Sequence, residues 1–346
     1  MGRGFAREVF HDRHPTLIRQ VAAGRPYGDD QRARLDALLA ESLGGDIARL
    51  PDDAADRADW EAWDEGFLGR PWADAPFLWA ESYFYRRVLD AVDYFRPGPW
   101  HGVDPFGPMK DAELADLGAA PAAADFDAVV RAAVFGNRAD LSFLMQQRPT
   151  GAHGDPTDAF VADDTAAFWR EVTRDDTRSV GVITDNAGRE LAADLAMAGW
   201  LLDAGLVDDL TLHVKPVPYY VSDATASDVD KLGGGRVAVR THGFWVSPLT
   251  FDRMPADLRA DLGRHQVVVA KGDLNYRRLV GDLAWDPTTP FGDAAADLGV
   301  AVVALRTCKS EVVVGLDAAT VARLDAAEPR WRVSGRHGLV QARSTG

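Results

Sequence analysis

An α/β fold, read as a three-layer α/β/α arrangement with a mostly parallel sheet and a helical N-terminal region, is predicted by three features of this 346-residue chain. From about residue 161, short β-branched runs alternate with amphipathic helical segments, the pattern of parallel strands joined by helical crossovers. Residues 1–160 instead carry one helical pattern after another, with almost no strand signal. Between the two regions lies RPTGAHGDPTDAFVADD, whose Gly, Pro and Asp content is that of a connecting passage. The chain therefore divides into a helical region over 1–160 and an α/β region over 161–346.

In the first region helices are expected in EVFHDRHPTLIRQVAA, DQRARLDALLAESLG, APFLWAESYFYRRVLDAVDYF and FDAVVRAAVFGNRADLSFLM. Trp60, Trp63, Trp72, Trp79 and Trp100 fall in one stretch and read as a rigid helical core rather than a binding stack. In the second region strands are expected in SVGVIT, DLTLHV, PYYV, HQVVVA, GVAVVAL and EVVVGL. The first shows why: Val180, Val182 and Ile183 form a short apolar run suited to a strand covered on both faces. Leu191, Leu195, Ala198 and Leu202 then recur at helical spacing, and Gly205 can close the helix. The three glycines of KLGGGRVAVRTHGFW follow a helix and do not stand in the strand-to-helix turn that a dinucleotide site needs, so no such cofactor is expected.

Composition narrows the partners. With 38 Lys plus Arg against 53 Asp plus Glu, the formal charge is -15, so neither nucleic acid nor an anionic membrane surface attracts the chain. An anionic substrate would need cations gathered locally. The single cysteine, Cys308, cannot form an internal disulfide, and no Cys/His pattern has zinc spacing. MGRGFAREVF lacks the apolar stretch of a signal peptide, and no apolar run reaches membrane-spanning length. A cytoplasmic location is expected.

In open α/β sheets ligands collect beyond the carboxyl ends of the strands, and several of these ends carry polar groups. Asp185 and Asn186 follow SVGVIT, and Asp223 follows PYYV. Lys271, Asp273 and Asn275 follow HQVVVA, and Arg306 and Lys309 follow GVAVVAL. Each also has a structural reading: Asp185, Asn186 or Asp223 as a helix cap, KGD as a turn, RTCK as a solvated edge. Together they divide labour, earlier ends bringing carboxylates and an amide, later ends bringing cations. Two carboxylates and an Asn carbonyl suit a hard divalent cation, while Lys and Arg suit phosphate oxygens.

The ordered set TDNAGRE, VSDATASD, KGDLNYRRL and RTCK, with WAESYFYRRVL and FGNRADLSF upstream, resembles the metal-dependent damage-control phosphatases. That family was formerly a domain family of unknown function, and the branch in question carries an Arg-Thr-x-Lys motif and includes acidic-residue methyltransferase-like proteins. The resemblance implies hydrolysis of phosphate esters of small metabolites with Mn²⁺, Ni²⁺, Co²⁺ or Mg²⁺. It implies Asp185, Asn186 and Asp223 as catalytic residues that hold the metal. It implies Lys271, Gly272, Asp273, Leu274 and Asn275 as the substrate lining, with Arg306 beside Lys309 and Lys309 at the phosphate. Glu190 falls one helical turn after Asn186 and can face the same crevice. Sugar phosphates such as fructose 1-phosphate or fructose 6-phosphate are the expected substrates.

Other residues keep two readings. Asn137 and Asp140 share a helical face, His213 and Lys215 share a strand face, and Glu81, Arg86 and Arg87 either meet substrate or brace the helical region. Two further functions stay open: an S-adenosylmethionine-dependent carboxyl methyltransferase, disfavoured by the absent glycine-rich turn, and a non-catalytic metabolite-binding protein.

Overall fold

The computed structural model describes residues 9–115, 117, 125–136 and 160–345, and Asn137 and Asp140 lie outside them. The chain forms two compact units. One comprises residues 1–112, 217–221 and 246–249, and the other 113–216, 222–245 and 250–346.

The first unit contains α1 (His14–Gly24), α2 (Asp29–Gly44), α3 (Arg57–Ala62) and α4 (Phe77–Ala91). Helix α4 is its axis, with every residue buried except Arg87 and Asp90. The tryptophans form a core as expected: Trp79 stacks on Tyr83 at 5.0 Å and Trp60 meets Trp63 edge-on at 5.2 Å. The two arginines of WAESYFYRRVL meet acceptors inside this unit. Arg86 forks onto Asp56 with two bonds of 2.6 Å, and Arg87 reaches Glu41 and the Ala48 carbonyl.

PYYV, expected as a strand, is an irregular segment of the first unit. Pro216 and Pro218 remove two ladder donors, and the Tyr219 hydroxyl bonds Ser82 (2.5 Å) and the Ser247 carbonyl (3.0 Å).

Helix α5 (Gly107–Ala115) runs into the second unit, which follows with α6 (Phe126–Phe135), β1 (Phe160–Asp163), α7 (Thr165–Val172), β2 (Ser179–Ile183), α8 (Gly188–Asp203) and β3 (Asp209–Val214). Then come α9 (Ala226–Lys231), β4 (Ala238–Thr241), α10 (Ala256–Leu262), β5 (Val267–Lys271), α11 (Gly272–Leu279) and α12 (Phe291–Ala294). The chain ends with β6 (Ala301–Thr307), α13 (Ala318–Ala327) and β7 (Gly338–Arg343). FDAVVRAAVF is thus grouped with the sheet, packing on α8, β6 and β7.

The seven strands run in the order β1-β7-β6-β5-β2-β3-β4. From β6 to β4 all pairings are parallel; β7 is antiparallel to β6, and β1 is parallel to β7. Strands β2, β5 and β6 are buried along their whole length, which is why they read as unbroken apolar runs. From β2 the chain lays β3 and β4 to one side, then crosses back to add β5 and β6 on the other. The β2/β5 boundary is the topological switch point, where such sheets open a crevice.

Two strands are relocated. EVVVGL is not a strand, although Val312, Val313 and Val314 are buried. Side chains take the place of a ladder: Arg306 donates to the Val312 carbonyl (2.5 Å), Gln341 to the Val314 carbonyl (2.7 Å), and the Val314 N–H donates to Tyr276 (3.2 Å). The sheet instead gains FVAD, read from the sequence as part of the connecting passage, AVRT as an exposed edge and GLVQAR as its antiparallel strand. The three consecutive glycines lie between α9 and β4, after a helix, as read from the sequence.

Candidate functional site at the sheet switch point

Beyond the ends of β2 and β3, two short segments pair antiparallel. The Ala187 N–H donates to the Ser222 carbonyl (2.7 Å) and the Ala224 N–H to the Asp185 carbonyl (2.9 Å), with Asn186 opposite Asp223. This ribbon sets Asp185, Asn186 and Asp223 side by side, 5%, 6% and 2% exposed. None of them occupies a cap position. Ala187 is the N-cap of α8, and the Arg189 N–H donates to Glu113. Thr225 caps α9, giving its N–H and hydroxyl to Asp228.

Asn186 is pinned at both ends. Its Nδ2 donates to Glu190 (2.9 Å) and more distantly to Asp185 (3.3 Å), while its Oδ1 accepts the Ser222 hydroxyl (2.7 Å). Lys215 lies behind Asp223: its Nζ is 3.8 Å from that carboxylate and donates to the Thr184 carbonyl at 2.7 Å. His213 has a different neighbour, His265, so the two residues sharing a strand face serve separate clusters.

From β5, Lys271 is completely buried, 3.4 Å from Glu190 and 3.0 Å from Asp194, and it also donates to the Ala133 carbonyl of α6. Burial lowers the Lys271 ammonium, but Asp194 and Glu190 outweigh it and hold the group above its ordinary range. Burial likewise pushes the Asp194 carboxyl up, to about 7, against the pull of Lys271. Gly272 adopts φ +80°, and an added Cβ would lie 1.8 Å from Asp185 Oδ2, so the carboxylate occupies glycine's empty side. Asn275 ties the two strand ends together, donating to Thr184 (3.0 Å) and Lys271 (2.8 Å) carbonyls; its buried Oδ1 has no partner. Leu274 is 9% exposed.

The RTCK loop is fastened from beneath. Asp273 Oδ1 accepts from Arg306 (2.9 Å), the Lys309 N–H (3.1 Å) and the Ser310 hydroxyl (3.2 Å). Arg306 is completely buried, stacked over Tyr276 at 4.2 Å, and it also donates to the Ser310 and Val312 carbonyls. Burial pulls its guanidinium down, and the groups around it, Asp273 first with Cys308 and Tyr276, more than compensate. Cys308, next to Lys309, is buried, and its thiol is pushed up to about 11. Lys309 is only partly buried, with its backbone fixed by Asp273.

The structure therefore brings Asp185, Asn186, Glu190, Asp223, Lys271 and Gly272 into one contiguous cluster. Asp273, Arg306 and Lys309 form the adjoining loop anchor. Sequence reading missed Asp194, Ser222 and Ser310. Only Asp194 left a signal, four residues beyond Glu190 on the same helical face.

Among the described residues no group of three His, Cys, Asp or Glu has a metal-holding arrangement. Two Asp and one Asn are a different donor set, and its chemistry fits a hard divalent cation. Four buried acids, Asp185, Glu190, Asp194 and Asp223, stand in this cluster beside two buried lysines, Lys215 and Lys271, so acids outnumber cations among the residues named.

The damage-control phosphatase ARMT1-like domain pattern matches residues 9–324. The chain is 28% identical to the zebrafish (Danio rerio) damage-control phosphatase ARMT1 over 424 aligned residues, covering 97% of this chain and 94% of that protein. It is 27% identical to the human protein of that name, over 78% of this chain and 75% of the other. Among solved structures it is similar to a DUF89 family protein from Pyrococcus horikoshii, with TM-score 0.52 and 15% identity, covering 89% of this chain and 95% of that one. That likeness shows a shared fold. The domain match, extending through every strand of the switch-point crevice, establishes that the chain belongs to the ARMT1-like damage-control phosphatase family.

Proposed function

We propose that this protein is a metal-dependent phosphomonoesterase acting in the cytoplasm on phosphate esters of small metabolites, with sugar phosphates such as fructose 1-phosphate or fructose 6-phosphate as substrates. Its family supports a phosphatase role. The observation carrying the finer reading is the Asn186–Asp223 ribbon, which gathers two buried carboxylates and an oriented amide at the switch point. No helix among the described residues is long and apolar enough to cross a membrane.

In this reading Asp185, Asn186 and Asp223 hold Mn²⁺, or Ni²⁺, Co²⁺ or Mg²⁺. A divalent cation there supplies Lewis-acid polarisation of the phosphoryl group and a more acidic water. The chain's own contribution is placement. Lys309 brings positive charge to the substrate phosphate from a loop whose shape is set by Asp273 and Arg306. Gly272 leaves the Asp185 carboxylate its room, and Asn275 holds the ends of β2 and β5 together. Lys271 and Glu190 stay in the wall of the site, facing each other.

The test combines metal and substrate. Protein stripped with EDTA should lose hydrolysis of a sugar-phosphate panel and regain it with Mn²⁺ or Co²⁺. Asp185→Asn and Asp223→Asn should lose calorimetric Mn²⁺ binding together with turnover. Full activity in a verified metal-free sample overturns the mechanism.

A further inference from the structure

Asp194, the second acid on Lys271, has no place in the scheme above, yet it is joined to it. Asp194 and Glu190 stand one turn apart on α8, and Lys271 Nζ sits between them at 3.0 and 3.4 Å. All three side chains are at most 2% exposed, so no solvent neutralises the arrangement. Asp194 Oδ2 has no hydrogen-bond donor among the described residues. Leaving a buried carboxylate oxygen unpaired is costly, and apolar replacement of such a pair is often neutral or stabilising. Stability alone is a weak reason for it.

The chemistry at the other end gives a reason. Asn186 can present either its oxygen or its NH₂ group toward a neighbour, and its two ends look alike in shape. The Ser222 hydroxyl at one end can donate or accept, so it does not decide the matter. Glu190 at the other end, when ionised, only accepts, and it is the nearer of the two carboxylates that take Nδ2, at 2.9 Å against 3.3 Å for Asp185, which leaves Oδ1 for a cation. Glu190 is in turn placed by Lys271, and Lys271 by Asp194 and the Ala133 carbonyl.

We propose that Asp194 is a positioning residue: through Lys271 it places Glu190, and Glu190 fixes the sense of the Asn186 amide so that the carbonyl oxygen is the end offered to the metal. This rests on Asn186 being a metal ligand, as proposed above. Supports of this kind behind metal ligands typically govern roughly ten- to a hundredfold in affinity or activity.

Asp194→Asn keeps the shape and removes the charge. Its apparent Kd for Mn²⁺, measured by titration calorimetry on the metal-stripped full chain, should rise roughly ten- to a hundredfold. Turnover should fall at limiting Mn²⁺ and recover as Mn²⁺ is raised, with KM for the phosphate ester unchanged. A merely structural role would lower the melting temperature without moving the Mn²⁺ dependence. Should the single variant fail to fold, the paired change Asp194→Asn with Lys271→Met removes the orphaned ammonium and carries the same measurement. Mn²⁺ affinity like wild type in a folded variant overturns the proposal, as does failure of both variants to fold, which would make the cluster a folding element. Wild-type protein that binds no Mn²⁺ instead overturns the metal-site reading itself.

Discussion

The Asp185 carboxylate occupies the space where a side chain at position 272 would begin: a Cβ built on Gly272 lies 1.8 Å from Oδ2, and the backbone there has φ +80°. One residue from the end of β2 and one from the start of α11 are thus mutually dependent across the switch point. Gly272→Ala should displace Asp185 and lower both Mn²⁺ binding and kcat by more than roughly tenfold, as expected when a metal ligand is misplaced. A control separates clash from strain. Gly281 has φ +84° with only the Leu283 side chain near, at 3.8 Å. Gly281→Ala should therefore cost about 1–2 kcal/mol of stability with activity intact. Equal activity in the two variants would disprove the dependence.

The Asp273–Arg306 anchor makes a separate prediction, because it holds Lys309 through its backbone N–H. Arg306 meets Asp273 and Ser310 through Nη2 and the Val312 carbonyl through Nη1, a fork that lysine cannot reproduce. Arg306→Lys should keep the positive charge and still lower kcat/KM, by roughly tenfold or more, in the direction of Lys309→Ala. The two variants differ in stability: Arg306→Lys leaves buried acceptors unmet and should lose about 1–3 kcal/mol, whereas Lys309→Ala should lose little. Urea unfolding beside steady-state kinetics measures both. Unchanged kinetics in Arg306→Lys would detach the anchor from the site.

What the sequence conveyed followed from how local each signal is. The β2–α8 unit was legible because a β-branched run passes directly into a stripe of leucines at helical spacing. EVVVGL carries the same composition as a buried strand, and what distinguishes it is the arrival of Arg306, Tyr276 and Gln341 at its backbone, two of them from distant positions. GLVQAR does not read as a strand because Gly338, Gln341 and Arg343 interrupt it and leave no continuous apolar run. In the site, strand-end carboxylates and cations were visible as types, but their division into exposed and supporting groups was not. Lys271 reads the same in sequence whether it meets a phosphate or Asp194, and only the packing of α6 and α8 around it distinguishes the two.

A last prediction concerns the histidines behind the sheet. Asp209 accepts the Ser179 hydroxyl (2.7 Å), Ser179 Oγ is 2.6 Å from His265 Nδ1, and His265 Nε2 is 3.5 Å from His213 Nε2. The donors line up with both rings neutral: His265 gives its Nδ1 proton to Ser179 and takes the His213 Nε2 proton. A further proton on His213 would go to its Nδ1 and place a positive charge in a buried space. Burial, reinforced by His265, accordingly lowers His213 to about 4. In the unfolded chain the same ring titrates near about 6.5, so between those values the unfolded state binds more protons. Stability from this residue is full above the unfolded value and is lost as pH falls toward 4, by about 2–3 kcal/mol between pH 7.5 and 4.5. Other groups titrate in that window, so the measurement is a difference: urea unfolding of wild type and His213→Asn at both pH values. Whatever the variant's starting stability, its loss on acidification should be smaller than that of wild type by that amount. Parallel losses would show that His213 accepts its proton in the folded protein without penalty.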